Sequence, residues 1–195
     1  MRKPPPILGT HEIDYRLGPL FVMNHERYLL ESQKHELLEK RWEVDKGLDL
    51  YKQMFEAQHA RFEAGVITLL SATSLLERVL YEFASNFMHF ESYESHLDRL
   101  KLETKWIMLP KLCAGIVVEE DSTEINELRQ LIKARNAVVH PKVQFIRADT
   151  SAIPNTDKEL ARFHIACKNA RRTVDALFAL LNKTIKPSVD PACLI

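Results

Sequence analysis

Apolar residues recur every three or four positions along most of the chain, with polar residues between them. At about 3.6 residues per turn, this spacing places the apolar side chains on one face of a helix. The pattern predicts helices over residues 24–45, 48–90, 97–114, 121–140 and 156–184. We therefore expect an all-α fold: an up-and-down bundle of about four core helices with an additional N-terminal helix.

Two helix-breaking residues leave alternatives open within this pattern. Gly65 either divides the long helix 48–90 in two or permits close packing against a neighbour. Pro110 is expected to end its helix near Met108, or to kink it there, because proline lacks an amide donor and clashes with the preceding turn. The β-branched run at 115–118 has no partner strand and is predicted to be a loop.

The ends of the chain differ in composition from the helical part. Residues 1–23 contain four of the nine prolines and two of the five glycines, which predicts an extended N-terminal arm. Asn24 is a candidate N-cap for the first helix. Residues 24–186 are predicted to form a single helical domain, and residues 187–195 a C-terminal tail.

Composition narrows the class of protein. A content of 46% hydrophobic and 28% charged residues with only 5 glycines suits a helical globule. The formal net charge of zero argues against a surface that attracts nucleic acid everywhere, and leaves a local basic patch open. The 3 cysteines are too few for a disulfide framework and favour a reducing compartment. Without a signal peptide or a run of about 18 apolar residues, we predict a cytoplasmic protein that does not span a membrane.

Several kinds of site are missing from the sequence. It contains no glycine-rich phosphate loop, no nucleophile elbow and no pair of cysteines two residues apart. The 8 histidines include no pair on adjacent turns of one helix, which is the usual spacing of metal ligands. We therefore expect neither a metal site nor a cofactor.

One helix end carries ionisable residues at a chemically informative spacing. Arg135 lies on the apolar stripe, and no carboxylate lies three or four residues away within the helix. Its guanidinium therefore faces packed surface or a partner. Asn136 and His140 are four residues apart, and Pro141 places His140 in the last turn, where its ring stays reachable. Imidazole moves protons near neutral pH, and guanidinium binds phosphate oxygens.

Arg135, Asn136 and His140 resemble the Arg-Asn-x-x-x-His signature of the HEPN superfamily, all-helical domains that include metal-independent endoribonucleases. The resemblance extends over residues 48–185, where a long apolar helix precedes the motif helix and another long helix follows it. It implies that these three residues are catalytic, in a composite cleft between the subunits of a homodimer. It further implies an RNA substrate, a toxin-antitoxin or defence setting, and an antitoxin or regulatory protein as partner.

Three more residues are candidates for a supporting role: Glu77, Lys133 and Lys142. Glu77 lies among apolar residues of the long helix, where the family often carries a polar residue. It is expected to pair either with Arg135 or with a surface arginine such as Arg78 or Arg99.

Other interpretations of the same residues stay open. Arg135 is alternatively a structural ion-pair partner, Asn136 a helix-end residue and His140 a C-terminal cap. A HEPN-like module that binds RNA, nucleotide or a protein without cutting is the main alternative, because the family contains inactive members. Five residues on the last helix form either a basic strip near the motif or an ordinary solvated face: Arg162, His164, Lys168, Arg171 and Arg172.

Overall fold

A computed structural model describes residues 17–87, 97, 99–140 and 156–182. These residues form five α-helices: α1 (Leu17–Trp42), α2 (Leu48–Ser85), α3 (Leu102–Ala114), α4 (Thr123–Val139) and α5 (Thr156–Asn182). No strand occurs among the described residues, which confirms the predicted all-α fold.

The chain divides into two compact units that share three of the helices. The first, called here the motif unit, contains residues 17–75, 127–140 and 156–171 of the described chain. The second unit contains the described residues of 76–126 and 172–182. Both units contain buried apolar side chains: Leu69 and Leu131 are 1% exposed in the motif unit, and Trp106 is fully buried in the second.

Helix α1 begins seven residues before the predicted start. Asn24 is therefore not its N-cap: it is buried inside the helix, and its Nδ2 donates to the carbonyl oxygen of Leu20 at 2.8 Å. Pro19 lies in the first turn, where a missing amide costs nothing because those amides have no acceptor within the helix. The rest of the predicted arm, residues 1–16, lies outside the described residues.

Contacts with α5 hold α1 in the motif unit. Tyr28 is 3% exposed, and its hydroxyl lies 3.0 Å from Nδ1 of His164. His25 is also buried, and its Nε2 lies 3.3 Å from the carbonyl oxygen of Lys168. These contacts make α1 a part of the core rather than an external addition.

Helix α2 runs unbroken through Gly65, so this glycine permits close packing and does not divide the helix. A Cβ atom at position 65 would lie 2.6 Å from Cζ of Phe163 and 3.1 Å from Sγ of Cys167. The Cys167 thiol lies 3.5 Å from the Gly65 carbonyl oxygen, to which it donates. The backbone of α2 is thus in direct contact with side chains of α5.

Helix α3 begins at Leu102, five residues after the predicted start at 97, and it continues through Pro110 to Ala114, so of the two alternatives at Pro110 an end near Met108 is excluded. It ends instead at Gly115, whose φ of 71° is in the left-handed region that glycine adopts without strain. The amides of Gly115 and Ile116 donate to the carbonyl oxygens of Lys111 and Pro110 at 3.0 and 3.1 Å. The following residues 115–119 form a loop, as predicted.

Helix α4 is capped at its start and carries the motif at its end. The amide of Ile125 donates to Oγ of Ser122 at 3.3 Å, which satisfies one of the first free amides of the helix. The cap places the start of α4 at Thr123, two residues after the predicted start at 121.

Helix α2 is long and apolar enough to cross a membrane by length and composition alone. Its most apolar 18-residue window has a mean hydropathy of 1.3, and 61% of that window is buried. Core helices that pack on other helices pass the same test.

Candidate active site at the end of α4

The three motif residues lie in the last turns of α4. Arg135 is half-buried, whereas Asn136 and His140 are exposed. The amide of His140 still donates to the carbonyl oxygen of Asn136 at 2.9 Å, so the helical hydrogen bonds reach the histidine. The motif therefore lies where the sequence predicts it, at the end of a helix with its imidazole open to solvent.

The guanidinium of Arg135 is held by its neighbour in sequence. Nη1 donates to Oδ1 of Asn136 at 2.9 Å, and Nε is buried without a hydrogen-bond partner. No carboxylate of the described residues forms an ion pair with Arg135. Its charge is thus not neutralised within this part of the chain, and an anion such as a phosphate would supply the missing acceptors.

This arrangement bears on the structural interpretation of the motif. An arginine that serves only as an ion-pair partner needs a carboxylate, and Arg135 meets an amide oxygen instead. The ring of His140 forms no hydrogen bond with any residue in the part of the chain that the structure describes. An exposed imidazole of this kind can take or give a proton to a bound molecule.

Lys133 is exposed on the same helix. It precedes Asn136 by three residues and His140 by seven, which places the three on one face of α4. Lys142, the other predicted supporting lysine, lies outside the described residues.

Glu77 has a partner that sequence reasoning missed. Its Oε1 lies 2.7 Å from Nζ of Lys105, a side chain that is 1% exposed. The predicted pairing with Arg135, Arg78 or Arg99 is not found among the described residues, and Arg78 binds Glu82 instead. Lys105 directly precedes the buried Trp106, but Glu103 and Lys111 lie on the same helix, and nothing in the sequence distinguishes Lys105 from them.

His164 does not belong to the basic strip that the sequence suggested on α5. Its ring is half-buried against Tyr28, with the two ring centroids 6.1 Å apart. Burial, together with the smaller effects of the nearby Arg61 and His35 charges, lowers the pKa of His164 to about 4. Arg171, by contrast, is exposed, and its Nη1 lies 3.5 Å from Oε1 of Glu26.

Neither described cysteine is a candidate nucleophile. Burial raises the pKa of the Cys113 thiol to about 11 and also raises the pKa of Cys167 well above its usual value. A thiol reacts through its thiolate, which is scarce at neutral pH under these conditions. Within the described ranges, moreover, no three side chains of histidine, cysteine, aspartate or glutamate are grouped in a way that would hold a metal ion.

Comparison with known proteins adds no assignment. No protein-family model, no curated protein and no solved structure matches this chain. The likeness to HEPN domains therefore depends on Arg135, Asn136 and His140 and on the order of the helices around them.

Proposed function

We propose that the chain is a metal-independent endoribonuclease of the toxin or defence type, with a HEPN-like bundle and an active site shared by two copies. The observation that carries the proposal is the state of Arg135: it is half-buried, bonded to Asn136 and without a carboxylate partner among the described residues. An exposed histidine follows it at the same helix end. A cation that lacks an internal counter-ion beside an available imidazole suits a phosphate substrate.

The reaction needs only proton transfer and charge stabilisation. The 2′-hydroxyl of a ribose attacks the adjacent phosphorus while His140 takes its proton as general base. The bond to the 5′-oxygen of the next nucleotide then breaks, and that oxygen receives a proton from a second acid. The products are a 2′,3′-cyclic phosphate and a 5′-hydroxyl.

Arg135 and Asn136 serve the phosphate. During the attack, negative charge grows on the two non-bridging oxygens, and guanidinium donors stabilise it. The hydrogen bond that Arg135 donates to Oδ1 of Asn136 fixes the plane of the guanidinium in advance, so less freedom is lost on binding. Lys133, on the face of α4 that carries Asn136 and His140, would attract the phosphate backbone.

A second copy of the chain supplies what one copy lacks. One imidazole cannot act as base and acid in the same step, and two-fold pairing of the α4 ends brings a second His140 and Arg135. The cleft would then be complete only in the dimer. An antitoxin or regulatory protein that covered this helix end would keep the enzyme inactive in the cytoplasm.

The direct test is cleavage of end-labelled single-stranded RNA by the purified protein in EDTA. We expect products with cyclic phosphate ends and a specific activity that rises with protein concentration as dimers form. Arg135→Ala and His140→Ala should each lower the rate by about 100-fold or more while the helical circular dichroism is retained. Arg78→Ala removes an exposed arginine from the second unit and should leave the rate unchanged. Equal cleavage by the wild type and both motif variants would reveal a contaminating nuclease and refute the proposal.

The alternative is a HEPN-like module that binds RNA, nucleotide or a protein without cutting. It is favoured by the same unneutralised guanidinium, because anion binding needs no proton transfer. Fluorescence polarisation with the same RNA separates the two. Binding without products that is lost in Arg135→Ala and kept in His140→Ala would establish the module and exclude the nuclease.

A further inference from the structure

The motif unit contains a cavity that is not lined by Arg135, Asn136 or His140. It has a volume of about 220 Å³ and opens between α2 and α5. Its polar lining comes from Gln58, His59, Arg61 and His164, and aromatic rings at positions 55 and 62 cover much of the remainder. None of these side chains has a role in the proposed nuclease.

Arg61 is the only permanent charge in this lining. It is half-buried, and within the described residues it forms neither an ion pair nor a hydrogen bond. Its Nε is sealed from solvent without an acceptor, so the charge rests on a guanidinium with no internal partner. A half-buried cation in this state is stabilised by a bound anion.

The neighbouring His164 adds no second charge. Burial lowers the pKa of His164 to about 4, so the ring is neutral at pH 7. The Tyr28 hydroxyl can donate its single proton either to the His164 carbonyl oxygen, at 3.2 Å, or to Nδ1, at 3.0 Å. In the second case the ring proton is on Nε2. The permanent positive charge of the cavity is therefore that of Arg61, which suits an anionic ligand.

The aromatic side of the cavity indicates the rest of the ligand. Phe55 and Phe62 are 60% and 45% exposed, which is unusual for phenylalanine beside a core contact. The Phe62 ring packs on Phe163 at a centroid distance of 5.1 Å and is held in place by it. A planar apolar group placed over these rings would remove their surface from water.

We propose that this cavity binds a small anion attached to a planar apolar ring, such as an aromatic carboxylate or an aryl phosphate. Arg61 pairs with the anionic group, and Phe55 and Phe62 cover the ring. Gln58 and His59 at the same cavity supply further hydrogen bonds to the anionic group. This proposal does not depend on the proposed nuclease: the cavity can bind such a ligand whether or not the chain cleaves RNA.

The test is isothermal titration calorimetry of the full-length protein with four probes. Benzoate and phenyl phosphate carry both the ring and the charge, whereas acetate lacks the ring and benzyl alcohol lacks the charge. We expect saturable binding of benzoate, phenyl phosphate or both, with acetate and benzyl alcohol at least about tenfold weaker. The tighter of the first two identifies the anionic group. No saturable heat from either of them at millimolar concentration overturns the proposal, as does equal binding of benzyl alcohol.

Three variants test whether the probes bind in this cavity. Arg61→Gln should weaken the better probe by about tenfold or more, because a charge-assisted hydrogen bond is lost. Phe55→Ala alters a ring that is 60% exposed, so the fold should tolerate it, and it should weaken benzoate but not acetate. Arg78→Gln is the matched control in the second unit and should bind as the wild type does. In an NMR titration with the better probe, the amide signals that shift should be those of residues 55–62. Unchanged affinity of Arg61→Gln refutes the assignment. Shifts confined to residues 135–140 refute it as well.

Discussion

The end of α4 and the contact between α1 and α5 each use a histidine, in opposite surroundings. His140 is exposed and bonded to no described side chain, whereas His164 is half-buried, bonded to Tyr28, and has a pKa lowered to about 4. The first is open to solvent, and the second stays neutral at pH 7 and contributes to packing. Residue type alone therefore does not identify a catalytic group; its accessibility and its partners do.

The arginines extend this comparison. Arg135 and Arg61 both have a sealed Nε without an acceptor, and neither forms an ion pair with a described residue. Arg135 is bonded to Asn136 at a helix end, and Arg61 lines a cavity with exposed aromatic rings. The two proposals accordingly assign different anions to them: a polymer backbone at Arg135 and a small ring-bearing molecule at Arg61. Substitutions at the contact between α1, α2 and α5 should change stability, and those at the end of α4 should change cleavage.

The largest effect on stability is expected from Gly65→Val. The added side chain would overlap the Phe163 ring, since even a Cβ lies 2.6 Å from its Cζ, and α2 and α5 would have to separate. Overpacking of this kind should lower the free energy of unfolding by about 3 kcal/mol, measured by urea denaturation. Gly18→Val is the matched control, because nothing lies within 4 Å of a Cβ there. Similar losses for the two variants would contradict the close contact.

The second prediction concerns how the free energy of unfolding depends on pH. The folded chain favours neutral His164, so the stability this preference provides is complete above the ordinary histidine pKa of 6.5 and is lost as the pH falls towards 4. The pKa values of His25 and His35 are also lowered, first by burial, and act in the same direction.

Discounted for the part of the ring that faces solvent, the His164 contribution is about 2 kcal/mol. His164→Gln should therefore lose less stability than the wild type in urea denaturation between pH 7 and pH 4.5. His140→Gln replaces an exposed ring and serves as the control. If the free energy of unfolding of His164→Gln fell with pH as steeply as that of the wild type, the burial of His164 would not be the cause of the pH dependence.

A smaller loss is expected from Tyr28→Phe. Removing the hydroxyl leaves Nδ1 and the carbonyl oxygen of His164 without this donor, at a cost of about 1.5 kcal/mol. Thermal or urea unfolding would measure it. Tyr51→Phe removes a hydroxyl from a ring that is 54% exposed and should be nearly neutral. Equal stability of Tyr28→Phe and the wild type would show that the bond to His164 contributes nothing.

The smallest effect on stability is expected at the motif. Asn136 and His140 are exposed, so replacing either with alanine should change the free energy of unfolding by no more than about 0.5 kcal/mol. The same proteins should show a large loss in the RNA cleavage assay. A loss of stability above about 1 kcal/mol for His140→Ala would assign that residue to the fold, and the contrast with His164 would fail.

Local signals in the sequence predicted much of the helical layout. The start of α2 after Gly47, the cap at Ser122 and the start of α5 at Thr156 follow from residues close to each boundary. Two of the boundary differences involve proline, because Pro19 is tolerated in a first turn and Pro110 lies inside α3. At both prolines the helix is intact, although the sequence alone suggests that proline would interrupt it.

Contacts between distant residues account for what the sequence did not predict. The helical spacing placed Arg135, Asn136 and His140 at the end of one helix, where the structure also has them. It could not predict that Lys105 pairs with Glu77, 28 residues away, or that Tyr28 meets His164 across 136 residues. Periodicity reports which face of a helix is apolar, and it does not report which other helix that face meets.

The link between α1 and α5 has a practical consequence for any shortened form of the protein. A fragment that began at residue 48, where the HEPN resemblance begins, would discard Phe21, Tyr28 and Leu38, all at most 6% exposed in the complete fold. The side of α5 that His25 and Tyr28 contact would lose these partners, and Leu50 and Ala57 of α2 would lose their contact with Leu38. A trimmed version intended for crystallisation or for fusion to another protein should therefore retain the chain from Leu17 onward.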